Sequence, residues 1–299
     1  MTKKSNNRVE DYYDAVAEQY HQIYDFDDPS YKNGIADYFR LQIVLRIIAQ
    51  NRCTSVFEVG VGDGTPLEQM HRMGLKVAGC DISPKMVETA CQRLKDAGLD
   101  DPPIWRADVC NAVEMADAMM LEPTDVVVAL GVLPHVEKDI LALRNMRTLV
   151  RDGGKLLIEF RNKLFSLFTF NRFTHDFVVE ELLASAGDDV RERVSETLKA
   201  MLRMDLPPVR DSVADGQGPG YDTIRAKFHN PFEIPDLLND AGFGNPKFHW
   251  YHFHAAMPML QDDLDKAFDQ ESMAMEHKLV NDWRGYFLCS ACLVEADAT

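Results

Sequence analysis

Val56-Phe57-Glu58-Val59-Gly60-Val61-Gly62-Asp63-Gly64 joins a short apolar run to an acid and three glycines spaced by two. The run reads as a buried strand, and the glycines as the turn that follows it. Glycine removes the Cβ and permits positive φ, so a ligand can approach the backbone closely. The spacing differs from the G-x-G-x-x-G of dinucleotide-binding turns, which seat a pyrophosphate on a helix N-terminus. Glu58 at the strand end would repel a pyrophosphate and attract a cation, so the turn suits a ligand carrying an ammonium or sulfonium group.

Working outward, Lys76-Val77-Ala78-Gly79-Cys80-Asp81 is a second apolar run ending on an acid, with Asp81 17 residues beyond Gly64. An acid at the end of a second strand accepts hydrogen bonds from ribose hydroxyls in nucleoside cofactors. Ser83-Pro84 then opens a helix with an N-cap hydroxyl and a first-turn proline, and Gly98 closes it. Further runs at 104–107, 125–130 and 155–160 alternate with amphipathic stretches, as a parallel sheet requires. Val150-Arg151-Asp152-Gly153-Gly154 reads as a helix stop and turn before the fifth strand. Runs at 246–255 and 285–294 bring the strands to seven.

The segments Glu58 to Gly64, Asp81, Ala107-Asp108-Val109 and Asp125 to His135 resemble, in order, the motifs of class I S-adenosylmethionine-dependent methyltransferases. The likeness covers about half the chain. It implies an α/β fold with a doubly wound, seven-stranded, mostly parallel sheet, the last strand antiparallel between the fifth and sixth. It implies S-adenosyl-L-methionine as cofactor, with Gly60, Gly62 and Gly64 facing its methionine part, Asp81 its ribose and Asp108 its adenine amino group. Val109 would offer a backbone amide to the adenine ring, and Glu58, Ile82 and Leu130 complete the expected cofactor contacts. Pro66, two residues past the last glycine, departs from the pattern but is tolerable in a first helical turn. Tyr13-Asp14-Ala15-Val16-Ala17-Glu18-Gln19-Tyr20 resembles the opening segment of many small-molecule methyltransferases, whose helix closes over the cofactor. Tyr13 and Tyr20, seven apart, would share a helix face and Tyr20 would touch the cofactor; plain core packing of these aromatics, and of His21 and Tyr24, is the other reading.

The organisation expected is an N-terminal helical segment over 1–50, a cofactor-binding α/β core over 51–162, an inserted cap over 163–230 and the rest of the core over 231–299. The insertion is too long for a simple connection. It carries Leu164-Phe165-Ser166-Leu167-Phe168-Thr169-Phe170, a helical stretch from about Asp176 to Met204, and the loop Asp215-Gly216-Gln217-Gly218-Pro219-Gly220. It follows the fifth strand, at the sheet edge where open α/β folds bind ligands, and reads as a substrate lid; its phenylalanines could also pack a homodimer interface.

Methyl transfer is a displacement at an already activated carbon, so the protein must align the acceptor and, for an oxygen acceptor, remove a proton. Histidine suits that task. His135 follows the fourth strand, His252 and His254 end the sixth, and His229 closes the insertion; Arg161 at the end of the fifth could hold an acceptor carboxylate or phosphate. His252 and His254, two apart on a strand, face one way and could hold a metal, but no third ligand is evident and none is assigned. His135 could equally shape the cofactor pocket through backbone bonds, and Arg161 could form a surface ion pair.

Composition fits a soluble α/β enzyme: 299 residues, 46% hydrophobic and 27% charged. Net charge is −16, with no dense basic patch to neutralise phosphates. Leu130-Gly131-Val132-Leu133-Pro134 also lacks the Asn/Asp-Pro-Pro-aromatic sequence of exocyclic-amine DNA methyltransferases, so a nucleic-acid substrate is not expected. No apolar run approaches a membrane span and no signal core follows the polar start, pointing to a cytoplasmic protein. The six cysteines are expected reduced; Cys289 and Cys292 have C-x-x-C spacing, but strand alternation would turn them to opposite faces. The activity expected is methyl transfer to a small metabolite, oxygen slightly preferred. N-methylation of an amino acid or amine and a noncatalytic cofactor-binding subunit are the alternatives. Aminopropyl transfer is disfavoured because no acidic cluster follows the fourth strand.

Overall fold

The computed structural model describes residues 2–17, 20, 24, 34–204, 226–255 and 266–299. His21 and the loop 215–220 lie outside the described residues. Seven strands, β1 (Ser55–Val59), β2 (Lys76–Asp81), β3 (Ile104–Arg106), β4 (Thr124–Ala129), β5 (Val150–Arg161), β6 (Phe243–Phe253) and β7 (Cys289–Ala298), form one sheet. Its order is β3-β2-β1-β4-β5-β7-β6. Pairing is parallel from β3 to β5, and β7 is antiparallel to both β5 and β6. The doubly wound sheet and the antiparallel seventh strand between the fifth and sixth agree with the sequence reading.

The strands are apolar on both faces because helices cover both. In β4, Val127 and Ala129 enter one buried cluster and Val126 and Val128 the other. Helices α1 (Thr2–Val16), α2 (Gly34–Gln50), α3 (Thr65–Arg72), α4 (Pro84–Asp96), α5 (Ala116–Met119) and α6 (Asp139–Leu149) precede or link the first five strands. In α4 the Ser83 Oγ accepts from Met86 N at 3.0 Å, and Met86, Ala90 and Leu94 recur at i, i+4, i+8 on the buried face. At the start of α3, Gly64 has φ 83°, and a Cβ there would stand 2.9 Å from Ala90 Cα. That glycine therefore lets α3 and α4 pack closely.

The structure corrects several boundaries. The expected turn over 150–154 belongs to β5, which starts at Val150 and takes up an irregularity against β4; Gly153 at φ 71° relieves it, and Arg151 Nε donates to Asp125 at 2.8 Å. The run from Gly285 begins not as strand but as one helical turn, α11 (Gly285–Leu288). It ends where Asn162 Nδ2 donates to the carbonyls of Tyr286 and Cys289 at 2.9 and 2.8 Å. Cys289 opens β7, yet it does not face away from Cys292 as strand alternation led us to expect. Both free thiols are buried in the same apolar cluster as each other, where burial pushes them up.

The insertion is not one helix. A 3-10 turn (Lys163–Phe168), α7 (Arg172–Asp176), a π-helical turn (Phe177–Leu182) and α8 (Asp188–Met201) succeed each other. Gly187 is extended ahead of Asp188 and Asp189, which favour a helix N-terminus, so the chain breaks there. His175 ties the pieces, its Nε2 to Ser195 Oγ and its Nδ1 to Asp176 Oδ1, both at 2.9 Å. Helices α9 (Ile234–Asp240) and α10 (Lys266–Lys278) flank β6. No helix among the described residues is long and apolar enough to cross a membrane.

Candidate active site

The carboxyl ends of β1, β2 and β4 open on a cavity of about 280 Å³, the position where open α/β sheets bind ligands. Gly60, Gly62, Asp81, Ile82 and Leu130 line it, with Asp108 and Val109 beyond β3. A Cβ on Gly60 would fall 2.5 Å from Val132 Cγ2, and one on Gly62 would fall 3.1 Å from the Tyr20 ring. The cradle between strand end and neighbours therefore has room for backbone only.

Asp81 organises the turn. Its Oδ2 accepts from Gly62 N and its Oδ1 from Ser83 N, both at 2.9 Å. Burial pushes its carboxyl up to about 6, opposed by those amides. Neither Glu58 nor Gly64 lines the cavity, in contrast to the expected cofactor contacts. Glu58 is buried beneath the turn with Oε2 lacking a hydrogen-bond partner among the described residues, and burial holds its carboxyl well above the usual range against the pull of Arg40. Gly64 serves the α3–α4 contact, and Asp63 is consumed by Thr65 and by Arg93 Nη2 at 2.8 Å.

The N-terminal segment closes one side. Val9, Tyr13 and Tyr20 line the cavity, and Asp14 bonds the Ser83 hydroxyl at the foot of α4. Tyr20 lies beyond the end of α1, so it does not share a helix face with Tyr13. Their rings still meet edge to face at 6.0 Å, because the chain folds back over Gly62.

The proton-handling candidates separate. His135 lines the cavity, buried, 6.0 Å from the Tyr13 ring. His229 lines a second cavity of about 550 Å³ between the insertion and α9. There its Nε2 meets Asp139 Oδ2 at 3.1 Å, with Lys227 Nζ on the other carboxylate oxygen. The two cavities are neighbours: Lys138 lines the first and Asp139 the second, and Lys227 N donates to Pro134 O at 2.9 Å. His252, His254 and Arg161 line neither. His252 at φ 61° bonds Ser290 Oγ through Nδ1 at 2.7 Å, and His254 packs on Phe165 at 4.6 Å. Burial lowers them to about 4 and about 3, so both stay neutral near neutral pH. Among the described residues no group of three or more His, Cys, Asp or Glu is arranged to hold a metal. The Arg161 guanidinium stands 6.0 Å from the Phe228 ring, and its carbonyl accepts from His229 N at 2.8 Å.

Sequence reasoning missed a buried polar cluster beside the cavity. Glu159 Oε2 accepts from Gly131 N at 2.8 Å and pairs with Arg40 Nη1, while Arg40 Nη2 engages Asp37 at 2.8 Å and donates to Tyr24 Oη at 3.2 Å. The Tyr251 hydroxyl also hydrogen-bonds Glu159. The available signal was a charge inside each of two apolar runs, Leu156-Leu157-Ile158-Glu159-Phe160 and Phe39-Arg40-Leu41.

Strand order and cavity together define the class I methyltransferase fold. Residues 57–156 match the family model described as a methyltransferase domain. It is 24% identical over 50% of its length to a ubiquinone biosynthesis O-methyltransferase of Caulobacter vibrioides, covering 57% of that protein. It is 30% identical over 42% of its length to the glycine N-methyltransferase of Mus musculus, covering 46% of it. The chain thus spans about half the length of these relatives. Its fold is similar to that of magnesium protoporphyrin IX methyltransferase from Synechocystis PCC 6803, solved with bound SAH. That likeness has a TM-score of 0.54 at 17% identity, over 99% of this chain and 100% of that one.

Proposed function

We propose that the chain transfers a methyl group from S-adenosyl-L-methionine to a small-molecule acceptor, with oxygen slightly preferred over nitrogen. The observation that carries this reading is the glycine-walled cavity whose floor is Asp81, an acid held by the amide of the turn itself. The residues fit the cofactor: Gly60 and Gly62 leave room only for backbone, and two acids after successive strands, Asp81 and Asp108, line the cavity. When bound, the cofactor supplies a methyl group activated by its sulfonium centre.

The chain's own residues do the rest. Asp81 would accept from the ribose hydroxyls, Asp108 and the Val109 amide would meet the adenine, and Tyr20 would shield the turn from water. His135, buried in the same cavity beside the loop after β4, is positioned to take the acceptor's proton. The O-methyltransferases among the relatives support an oxygen acceptor.

One observation favours the amine alternative. The second cavity carries five carboxylates, Asp139, Asp176, Glu180, Glu181 and Glu233, against Lys163 and Lys227. That balance suits a cationic acceptor, and a glycine N-methyltransferase is among the relatives. Calorimetric titration with S-adenosylhomocysteine, followed by labelled-methyl transfer to phenol and amine panels, tests the reading. Binding plus transfer to a phenol supports it, transfer only to amines selects the alternative, and binding with no transfer to any acceptor indicates a noncatalytic cofactor-binding subunit. No binding of S-adenosylhomocysteine overturns the reading.

A further inference from the structure

We infer that Glu159 is a positioning residue for the methyl-transfer site, holding the loop after β4 through the Gly131 amide, and that Arg40 makes this hold depend on α2. The inference rests on the function proposed above. Gly131, at φ 71°, lines the cofactor cavity between Leu130 and Val132, and Val132 is the residue packed against Gly60. A shift at Gly131 therefore moves the wall that faces the glycine turn. Among the described residues the Gly131 amide is held from below, donating to Glu159 Oε2.

Glu159 does not line the cavity. It lies near the end of β5, 6% exposed, and β5 pairs with β4 only up to Ala129, so the loop leaves the sheet just where Glu159 can reach it. A buried carboxylate is costly unless paired. The pairing comes from Arg40, and the Arg40 and Arg161 guanidinium groups hold Glu159 below its ordinary range despite burial. Ionised, the carboxylate accepts from an amide more strongly than a neutral group does. Arg40 also bonds Tyr24 and Asp37, so the grip on Gly131 is built jointly by the N-terminal segment, α2, β5 and β6. Asp37, raised to about 6 by burial, faces the same guanidinium.

The test compares Glu159→Gln, Arg40→Gln, the double variant, and Leu238→Ala, which opens the core on α9 away from the loop. Amide hydrogen exchange of 130–135 is read in the cofactor-free protein, alongside unfolding midpoints and S-adenosylhomocysteine affinity. Glu159→Gln should speed exchange at Gly131 by about tenfold to a hundredfold, the loss of one hydrogen bond to a charged group. Arg40→Gln should do the same to a lesser degree, and the double variant should add nothing to Glu159→Gln, because both act through one carboxylate. Leu238→Ala should lower the midpoint while leaving exchange at 130–135 in proportion to global stability alone. Additive effects of the two single variants, or a Gly131 response no larger than that of Leu238→Ala at matched stability, would overturn the inference. Absence of S-adenosylhomocysteine binding in the unmodified protein would overturn only the proposed function, since exchange is read without cofactor.

Discussion

The amide of Gly62 donates to Asp81 Oδ2 across 2.9 Å, so the glycine turn after β1 and the acid after β2 form one unit. The oxygen that shapes the turn belongs to the group assigned to the ribose. Under the proposed function, cofactor affinity and turn geometry would be coupled through a single carboxylate.

Asp81→Ala should weaken S-adenosylhomocysteine binding by about tenfold to a hundredfold, and Asp81→Asn by less, since an amide oxygen still accepts from Gly62 N. Calorimetry checks both. Unchanged affinity in Asp81→Ala would remove Asp81 from the cofactor site.

The pH dependence follows from the same residue. Its folded carboxyl sits at about 6, against about 3.9 when unfolded. The folded state therefore holds the proton more tightly, and this group's contribution to stability falls as pH rises from about 4 to about 6, then stays level. Binding runs the other way, because ribose hydroxyls need the ionised acceptor. Affinity should drop about fivefold from pH 6 to pH 5, and Asp81→Asn should flatten that slope. Equal slopes in both proteins would assign the titration elsewhere, Asp37 being the nearest candidate.

His135→Ala should leave S-adenosylhomocysteine binding within about twofold yet slow transfer to an oxygen acceptor by about a hundredfold, the usual contribution of a general base. Steady-state rates with the acceptor found by screening decide it. Full activity would pass the role to His229, whose Nε2 is held by Asp139.

Gly64→Ala separates packing from cofactor contact. The added Cβ meets Ala90 Cα at 2.9 Å with φ at 83°, so the variant should lose about 1–3 kcal/mol of stability. Denaturant unfolding measures the loss. Affinity for S-adenosylhomocysteine, extrapolated to fully folded protein, should hardly change.

How much the sequence could disclose follows from what each feature depends on. Strand order was readable because apolar runs, terminal acids and glycine turns are local, and the motif order carried the topology. Local patterns do not show which way a buried group points. Glu58 and Gly64 stand inside the very motif that marks the cavity, yet one is sealed beneath the turn and the other faces α4. Tyr20 was read by helical spacing, but α1 stops at Val16 and only tertiary folding brings its ring back to Tyr13. His252 and His254 were read from position alone; burial and the backbone twist at His252 set them apart from both cavities. The Arg40–Glu159 pair joins residues 119 apart, a separation no periodicity records.

The placement of β7 bears on how the chain is made. Among the described residues β6 has no sheet neighbour except β7, while β7 pairs with β5 through contacts such as Lys155 with Asp297. The first five strands can associate while synthesis continues, but β6 must wait at the ribosome until β7 has emerged. The half that walls the glycine-lined cavity can thus form early, and the half bearing His252 and His254 is completed only by pairing over a long sequence separation, the slow kind of step in folding.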